Sequence, residues 1–413
     1  MFGVLDVKDD VIFDETITKY QEHIVLPQTG TNYGNSAIIS MEMGNQDIYT
    51  FPSKSYVYLE GTFKTVPVAG QQAGVPARST ISNNGFLQLF DTVTFHLNSV
   101  EIDRTRHLGV ATSMKNYVSL CSADSQLAAI AGWNPLNLYD SCVDANGKFS
   151  VCIPLSMMLG FAEDHRKILV HARQRLTLHR TMGDADCYET TGNAEACKIN
   201  LTHVSWRLPI VTPSDKHRLE LLKLVEQNKR LTLHFRSWNV VEYPLLPQTT
   251  DHVWTIQSTT QLEKPRYVIV GFQTGRKNTA EKDASAFDHC SLQDIKVYIE
   301  NECYPAENLN LNFGQQRYFI LYRMFAMFRE SFYGKESRPL LPPEKFKDLA
   351  PLAVIDCARQ NDRIKQGAVN FRIEFKTTQN VPANSRAVAL IIHDRLVDYN
   401  LLDNIVTVLV HTK

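Results

Sequence analysis

Residues 265–278 read PRYVIVGFQTGRKN. Two glycines and a basic pair raise the question of a phosphate-cradling loop. A Walker-type loop needs four residues between its first glycine and a Gly-Lys-Ser/Thr ending. Here only three residues separate Gly271 from Gly275, and Arg276, Lys277 and Asn278 follow with no hydroxyl to hold magnesium. Tyr267 to Phe272 are aromatic or aliphatic apart from Gly271. The segment is therefore a buried strand running into a polar turn.

Strand patterns recur on both sides of it. Val93, Phe95 and Leu97 alternate with Thr94, His96 and Asn98, and Leu231, Leu233 and Phe235 alternate with Thr232, His234 and Arg236. Val369, Phe371, Ile373 and Phe375 alternate with Asn370, Arg372, Glu374 and Lys376. A period of two puts each apolar set on one sheet face, against a second sheet. Helical patterns are few. Thr212 caps a short helix with Pro213 in its first turn and Asp215 three residues after the cap. Leu219, Leu222 and Val225 follow at helical spacing, and the helix ends near Asn228. In the second helix, near 315–333, Tyr318, Leu321, Tyr322, Phe325, Phe328 and Phe332 form an apolar stripe that Gly334 ends. Segments 66–85 and 335–350 carry the Pro, Gly and charge of long surface loops.

The first helix falls at mid-chain, which invites a search for duplication. FDTVTFHLNSVEID (90–103) resembles LQDIKVYIENECYP (292–305), so Val93, Phe95 and Leu97 align with Ile295, Val297 and Ile299. SYVYLEGTF (55–63) echoes RYVIVGFQT (266–274). Each half ends in a late strand pair, QRLTLHR with KINLTHVSW, then VNFRIEF with RAVALIIHD. The expected fold is all-β: two consecutive eight-stranded jelly-roll β-sandwiches with a few short helices. The first roll with an N-terminal arm spans 1–211, a linker helix 212–229, and the second roll 230–413 with the helical insertion near 315–333.

Composition narrows the function classes. The 413 residues are 44% hydrophobic, and 43 basic against 44 acidic residues leave a net charge of −1. No global basic field exists to attract nucleic acid or an anionic membrane. The opening MFGVLDVKDDVIFDE is acidic and lacks the apolar core of a signal peptide, and no run has the length to cross a bilayer. Eight cysteines at 121, 142, 152, 187, 197, 290, 303 and 357 form no Cys-x-x-Cys pair, which points to reduced thiols of a cytosolic or nuclear setting.

Chemistry-bearing patterns are missing. No two of the 13 histidines are spaced as His-x-His, and no His-x-Asp of a facial triad occurs. Gly-x-Ser-x-Gly and Gly-x-Gly-x-x-Gly are both absent. The carboxylate pairs Asp9–Asp10 and Glu163–Asp164 read as solvated loops. The basic stretch HRKILVHARQRLTLHR (165–180) carries Arg166, Lys167, Arg173, Arg175 and Arg180. With Leu176 and Leu178 inward, it reads as the polar face of a strand rather than a nucleic-acid patch. No catalytic, cofactor-binding or metal-ligating residue is expected, and no cofactor.

Five pieces in this order carry a resemblance: FSVCIPLSMMLGFAED (149–164), INLTHVSWRLPIV (199–211), PRYVIVGFQTGR (265–276), FDHCSLQDIKVYIENECYP (287–305) and HDRLVDYN (393–400). Together they resemble the double jelly-roll, hexon-like major capsid proteins of Polinton-like and adintovirus-like DNA elements. The resemblance implies a structural capsid protein with no enzymatic activity. Three chains would form a homotrimer, a pseudo-hexameric capsomer that tiles an icosahedral shell around a DNA genome. It also implies capsomer–capsomer contacts, penton or minor capsid partners at the vertices, and at most weak, non-specific genome contact. A lipid layer beneath the shell stays undecided. The protein would be made in the host cytoplasm, assembled there or in the nucleus, and reside in the virion capsid. The arm 1–20 would order only on reaching beneath a neighbour, and the stripe of the aromatic helix is either a trimer contact or intramolecular core. The alternatives are a carbohydrate- or ligand-binding β-sandwich, for which Trp133, Trp238 and Trp254 would have to be exposed, and a metal-dependent jelly-roll enzyme.

Overall fold

The structure, a computed structural model, describes residues 16–28, 30, 33–44, 48–66, 74–139, 141–192, 195–228, 230–256, 265–300, 302–359 and 371–409. In the first half the strands are β1 (Ile17–Val25), β2 (Ile38–Met43), β3 (Tyr49–Thr50), β4 (Tyr56–Thr65), β5 (Ser79–Ile81), β6 (Phe90–Leu97), β7 (Val100–Arg106), β8 (Lys148–Pro154), β9 (Leu169–Val170), β10 (Gln174–Arg180), β11 (Tyr188–Thr190) and β12 (Cys197–Pro213). Helices α1 (Gly85–Gln88), α2 (Leu108–Ser119), α3 (Ser122–Ala128), α4 (Leu155–Met158) and α5 (Gly160–Asp164) lie between them, and α6 (Asp215–Glu226) follows. The second half holds β13 (Arg230–Tyr243), β14 (Asp251–Ile256), β15 (Pro265–Thr274), β16 (Leu292–Ile299), β17 (Glu302–Tyr304), β18 (Ala353–Asp356), β19 (Phe371–Thr377), β20 (Ser385–Asn400) and β21 (Val406–Leu409). Helices α7 (Phe319–Tyr333) and α8 (Pro343–Leu349) sit between β17 and β18.

The same strand order appears twice. A proline turn at Pro52–Lys54 interrupts what is otherwise one strand, β3 with β4. Taking these as one, the first half pairs β1, β12, β4 and β8 in one sheet and β2, β10, β6 and β7 in the facing sheet. The second half pairs β13, β20, β15 and β18, then β14, β19, β16 and β17. Numbering the eight principal strands of each half in chain order gives 1-8-3-6 and 2-7-4-5 both times. This is the jelly-roll order, with every pairing antiparallel. The internal echoes fall on equivalent strands: 90–97 and 292–299 are fourth strands, 55–63 and 266–274 third, and the late pairs seventh and eighth. PRYVIVGFQT is β15, a buried strand as expected. A Cβ on Gly271 would come within 2.6 Å of Phe287 and 2.7 Å of Leu352, so the glycine admits close packing rather than phosphate.

The alternations hold for most described members, with Leu231 half-buried and Thr94 buried as exceptions. Val93, Phe95 and Leu97 are buried, as are Leu233, Phe235, Phe371, Ile373 and Phe375, while Val369 and Asn370 lie outside the described residues. The apolar cores do not respect the sequence halves. Met114, Tyr117, Trp133 and other residues of the α2 region pack in one cluster with the second roll. Leu233 and Phe235 of β13, with Val397 and Tyr399 of β20, pack in the cluster of the first. Every residue of α2 is buried. A helix covered on all sides carries no apolar stripe, and for that reason the sequence pattern gives no sign of it.

Several expectations need correcting. The helix cap is Ser214, whose hydroxyl pairs with His217 Nδ1 at 2.9 Å, while Thr212 and Pro213 end β12. The face of α6 that touches the core is Leu221, Leu224 and Val225, and Leu219 and Leu222 are exposed. Segment 335–350 is no surface loop: Leu340 and Leu341 are buried, and α8 plants Phe346 among Tyr322 and Phe325 at ring distances of 5.3 and 4.9 Å. The stripe on α7 is intramolecular core, with Phe328 against Tyr267 of β15 at 5.1 Å. In segment 66–85, Ser79–Ile81 is a strand paired with β11. Ile17–Tyr20 of the expected arm belong to β1, paired with the same chain's β12. The arm reading for 1–15 lies outside the described residues.

Candidate assembly surfaces and the inter-roll junction

The two rolls meet through a polar network built on apolar supports. Strand β13 runs past α5, and Gly160 lets the two backbones approach so closely that a Cβ there would lie 1.8 Å from Arg236 O. Arg236 donates from Nε and Nη2 to the Asp164 carboxylate at 2.8 and 2.6 Å, and from Nη1 to Phe332 O at 2.7 Å. Its guanidinium carbon lies 3.5 Å from the Phe332 ring centroid. Beside it, Lys115 of α2 is 2% exposed. Its ammonium donates to Glu163 at 2.9 and 3.0 Å and to Tyr333 Oη at 2.5 Å, over the faces of Trp238, Phe332 and Tyr333. Tyr333 Oη in turn donates to Glu163. A third contact is the fully buried Asp103 of β7, which accepts from Ser237 Oγ at 2.5 Å and from Phe161 N at 2.8 Å.

The electrostatics follow from burial. Burial lowers the Lys115 pKa, with Glu163 opposing. Burial pushes the Asp164 carboxyl up, but the Arg236 guanidinium outweighs it and holds the group below its ordinary range. Burial raises the Asp103 carboxyl despite the Ser237 and Phe161 donors. Each charge or polar group has a partner from the other roll or its flanking helices, and losing one partner strands the other. The network therefore ties the two rolls together across their junction.

Glu163 and Asp164, expected in a solvated loop, thus sit at the centre of this junction. The alternation around β13 marked Arg236 only as a polar-face residue, and nothing local singled out Lys115. The basic stretch 165–180 is strand over Leu169–Val170 and Gln174–Arg180, where Leu176 and Leu178 are fully buried as read. Arg173 and Arg175 both reach Glu42, and Arg180 pairs with Asp184 at 3.0 Å. Trp133, Trp238 and Trp254 are all buried, which removes the sequence ground for a carbohydrate platform. Among the described residues no group of three His, Cys, Asp or Glu is placed to hold a metal. Cys121, Cys142, Cys152, Cys187, Cys197, Cys290 and Cys303 are free thiols. No helix among the described residues is long and apolar enough to cross a membrane.

The exposed apolar side chains fall on particular edges. In β1 every residue from Ile17 to Ile24 is exposed, so the strand is covered on neither face and pairs only with β12. It presents Ile17, Tyr20 and Ile24, and Leu26 follows. Ser214 N donates to Thr16 O at 3.0 Å, which brings the start of α6, with its outward Leu219 and Leu222, to the start of β1. On the second roll, Phe319 and Ile320 at the head of α7 are 57% and 56% exposed, in contrast to the buried stripe of the same helix. Open edges with apolar side chains are natural contact surfaces.

Comparison with known proteins agrees with this architecture. A chain of the Sputnik virophage cryo-EM structure superposes with a TM-score of 0.61 at 11% identity, covering 99% of this chain and 92% of that one. The Faustovirus major capsid protein gives 0.61 at 10% identity over 95% and 92%. The mavirus major capsid protein gives 0.59 at 10% identity over 98% and 92%. At such identities the likeness is one of fold. No curated protein matches the sequence. The family model of the double jelly roll-like domain matches residues 79–397, and with the strand order repeated in both halves the chain belongs to that family.

Proposed function

We propose that this chain is a major capsid protein that forms homotrimers, each a pseudo-hexameric capsomer of six jelly rolls tiling an icosahedral shell around a DNA genome. The observation that carries the reading is the repeated strand order held rigid by a buried junction. Two near-equivalent rolls at a fixed angle let a threefold assembly present six similar sides. Its place is the virion capsid, after synthesis in the host cytoplasm and assembly there or in the nucleus. The proposed division is 1–211, a linker at 212–229, and 230–413 with the 315–333 insertion. Contacts between copies would use the β1 edge and the head of α7, and the near-neutral net charge of −1 suits dense self-packing. Penton or minor proteins would close the vertices, genome contact would be weak and non-specific, and no substrate would be turned over.

The test is light scattering with negative-stain electron microscopy on the purified chain. The expected result is a particle of three times the 47.0 kDa chain mass with a triangular or hexagonal outline. A monodisperse monomer across the micromolar range, or one carrying stoichiometric metal, would refute the proposal.

A further inference from the structure

A cleft of about 470 Å³ opens above the junction, between the Phe51–Lys54 turn, the α2–α3 region and the end of α7. The volume falls in the range of small-molecule sites, roughly 300–1,000 Å³. Its two acids are already satisfied. Asp124 accepts from Arg329 Nη1 at 2.6 Å, and Glu163 is held by Lys115 and Tyr333. Three cations at its rim, Lys54, Arg166 and Lys335, are exposed, and none forms an ion pair among the described residues. The lining therefore carries five cations, Lys54, Lys115, Arg166, Arg329 and Lys335, against two acids that are already paired.

We propose that this cleft binds a small multivalent oxyanion, of the phosphate-ester or polycarboxylate class. Such a ligand brings negative charge and oxygen acceptors for the rim cations. A metal cation is disfavoured because the acids are occupied. Single-stranded nucleic acid is disfavoured because the lining tryptophan, Trp238, is buried and offers no stacking face. The confined volume of the cleft favours a compact anion over an acidic peptide.

The experiment is calorimetric titration of the full chain, in whatever assembly state it adopts, with tripolyphosphate and separately with citrate at matched ionic strength. Saturable binding of one anion per chain is expected with at least one of the two; which one binds distinguishes phosphate from carboxylate recognition. Lys54→Glu with Lys335→Glu, both on exposed side chains, should weaken binding at least tenfold. The same charge change at Lys198 and Lys216, exposed and outside the cleft, should leave it unchanged. No saturable heat with either anion overturns the proposal. Equal weakening by the two double variants overturns it in favour of diffuse surface charge. Binding of a hexaglutamate peptide in the absence of small-anion binding overturns it in favour of a protein partner. None of these outcomes depends on whether the chain assembles into shells.

Discussion

Replacing Arg236 with methionine isolates what the junction does. The side chain makes two bonds to Asp164 at 2.8 and 2.6 Å, one to Phe332 O at 2.7 Å, and stacks on the Phe332 ring. Methionine keeps part of the apolar contact but leaves Asp164 with only the backbone N–H of residue 236, at 2.9 Å. Removing one partner of a fully buried pair costs about 3–5 kcal/mol. The Arg236 and Asp164 side chains retain 23% and 15% exposure, so about 3 kcal/mol is the expected loss after solvent screening. Urea unfolding followed by tryptophan fluorescence reads it, because Trp238 borders the network. The Asp164→Asn variant and the double variant complete a cycle in which the coupling should exceed about 1 kcal/mol. The pH dependence gives a second check. Since Arg236 holds the Asp164 pKa below its unfolded value, the stability this carboxylate contributes is present above the unfolded value, about 4. It is lost as pH falls through the folded pKa, so wild type and variant should converge in acid. Single effects that add without coupling, or a deficit that persists unchanged in acid, would refute the junction as described.

Other perturbations test other parts of the structure. Burial lowers the His165 and His393 pKa values to about 4, below the ordinary value of about 6.5. Their contribution to stability is full above pH 6.5 and falls by up to about 1.4 kcal/mol per histidine and pH unit between 6.5 and 4. His165→Phe should therefore flatten the acid limb of a stability–pH curve by about one proton, and an unchanged slope would contradict it. Gly271→Ala forces a methyl against the Phe287 and Leu352 side chains, for a loss of about 1–3 kcal/mol. Gly160→Ala meets the Arg236 carbonyl, which belongs to the backbone and yields less, so it should be the more destabilising of the two in thermal denaturation. Phe346→Ala empties a site ringed by Tyr318, Tyr322 and Phe325 and should cost about 3–5 kcal/mol in the same assay.

The sequence by itself determined the class of fold and its doubling. Strand periodicity is a local property: Phe371, Ile373 and Phe375 point one way because the backbone alternates, whatever the strand later pairs with. The duplication was legible for the same reason, since equivalent strands meet equivalent surroundings and keep similar patterns. Gly334 marked the end of α7 because its left-handed backbone, φ +64°, is a local demand. Tertiary structure alone decided the rest. Glu163 and Asp164 looked solvated until α5 was packed against β13, and the shared partner of Arg173 and Arg175 was not legible until Glu42 arrived from β2. Helix α2 left no stripe because both rolls enclose it. The α7 stripe gave helix and packing face but not the partner, which is the chain's own β15 and α8. Periodicity reports which side of an element is apolar, whereas the identity of what covers that side, and the pairing of charges far apart in the chain, depend on contacts that exist only after folding.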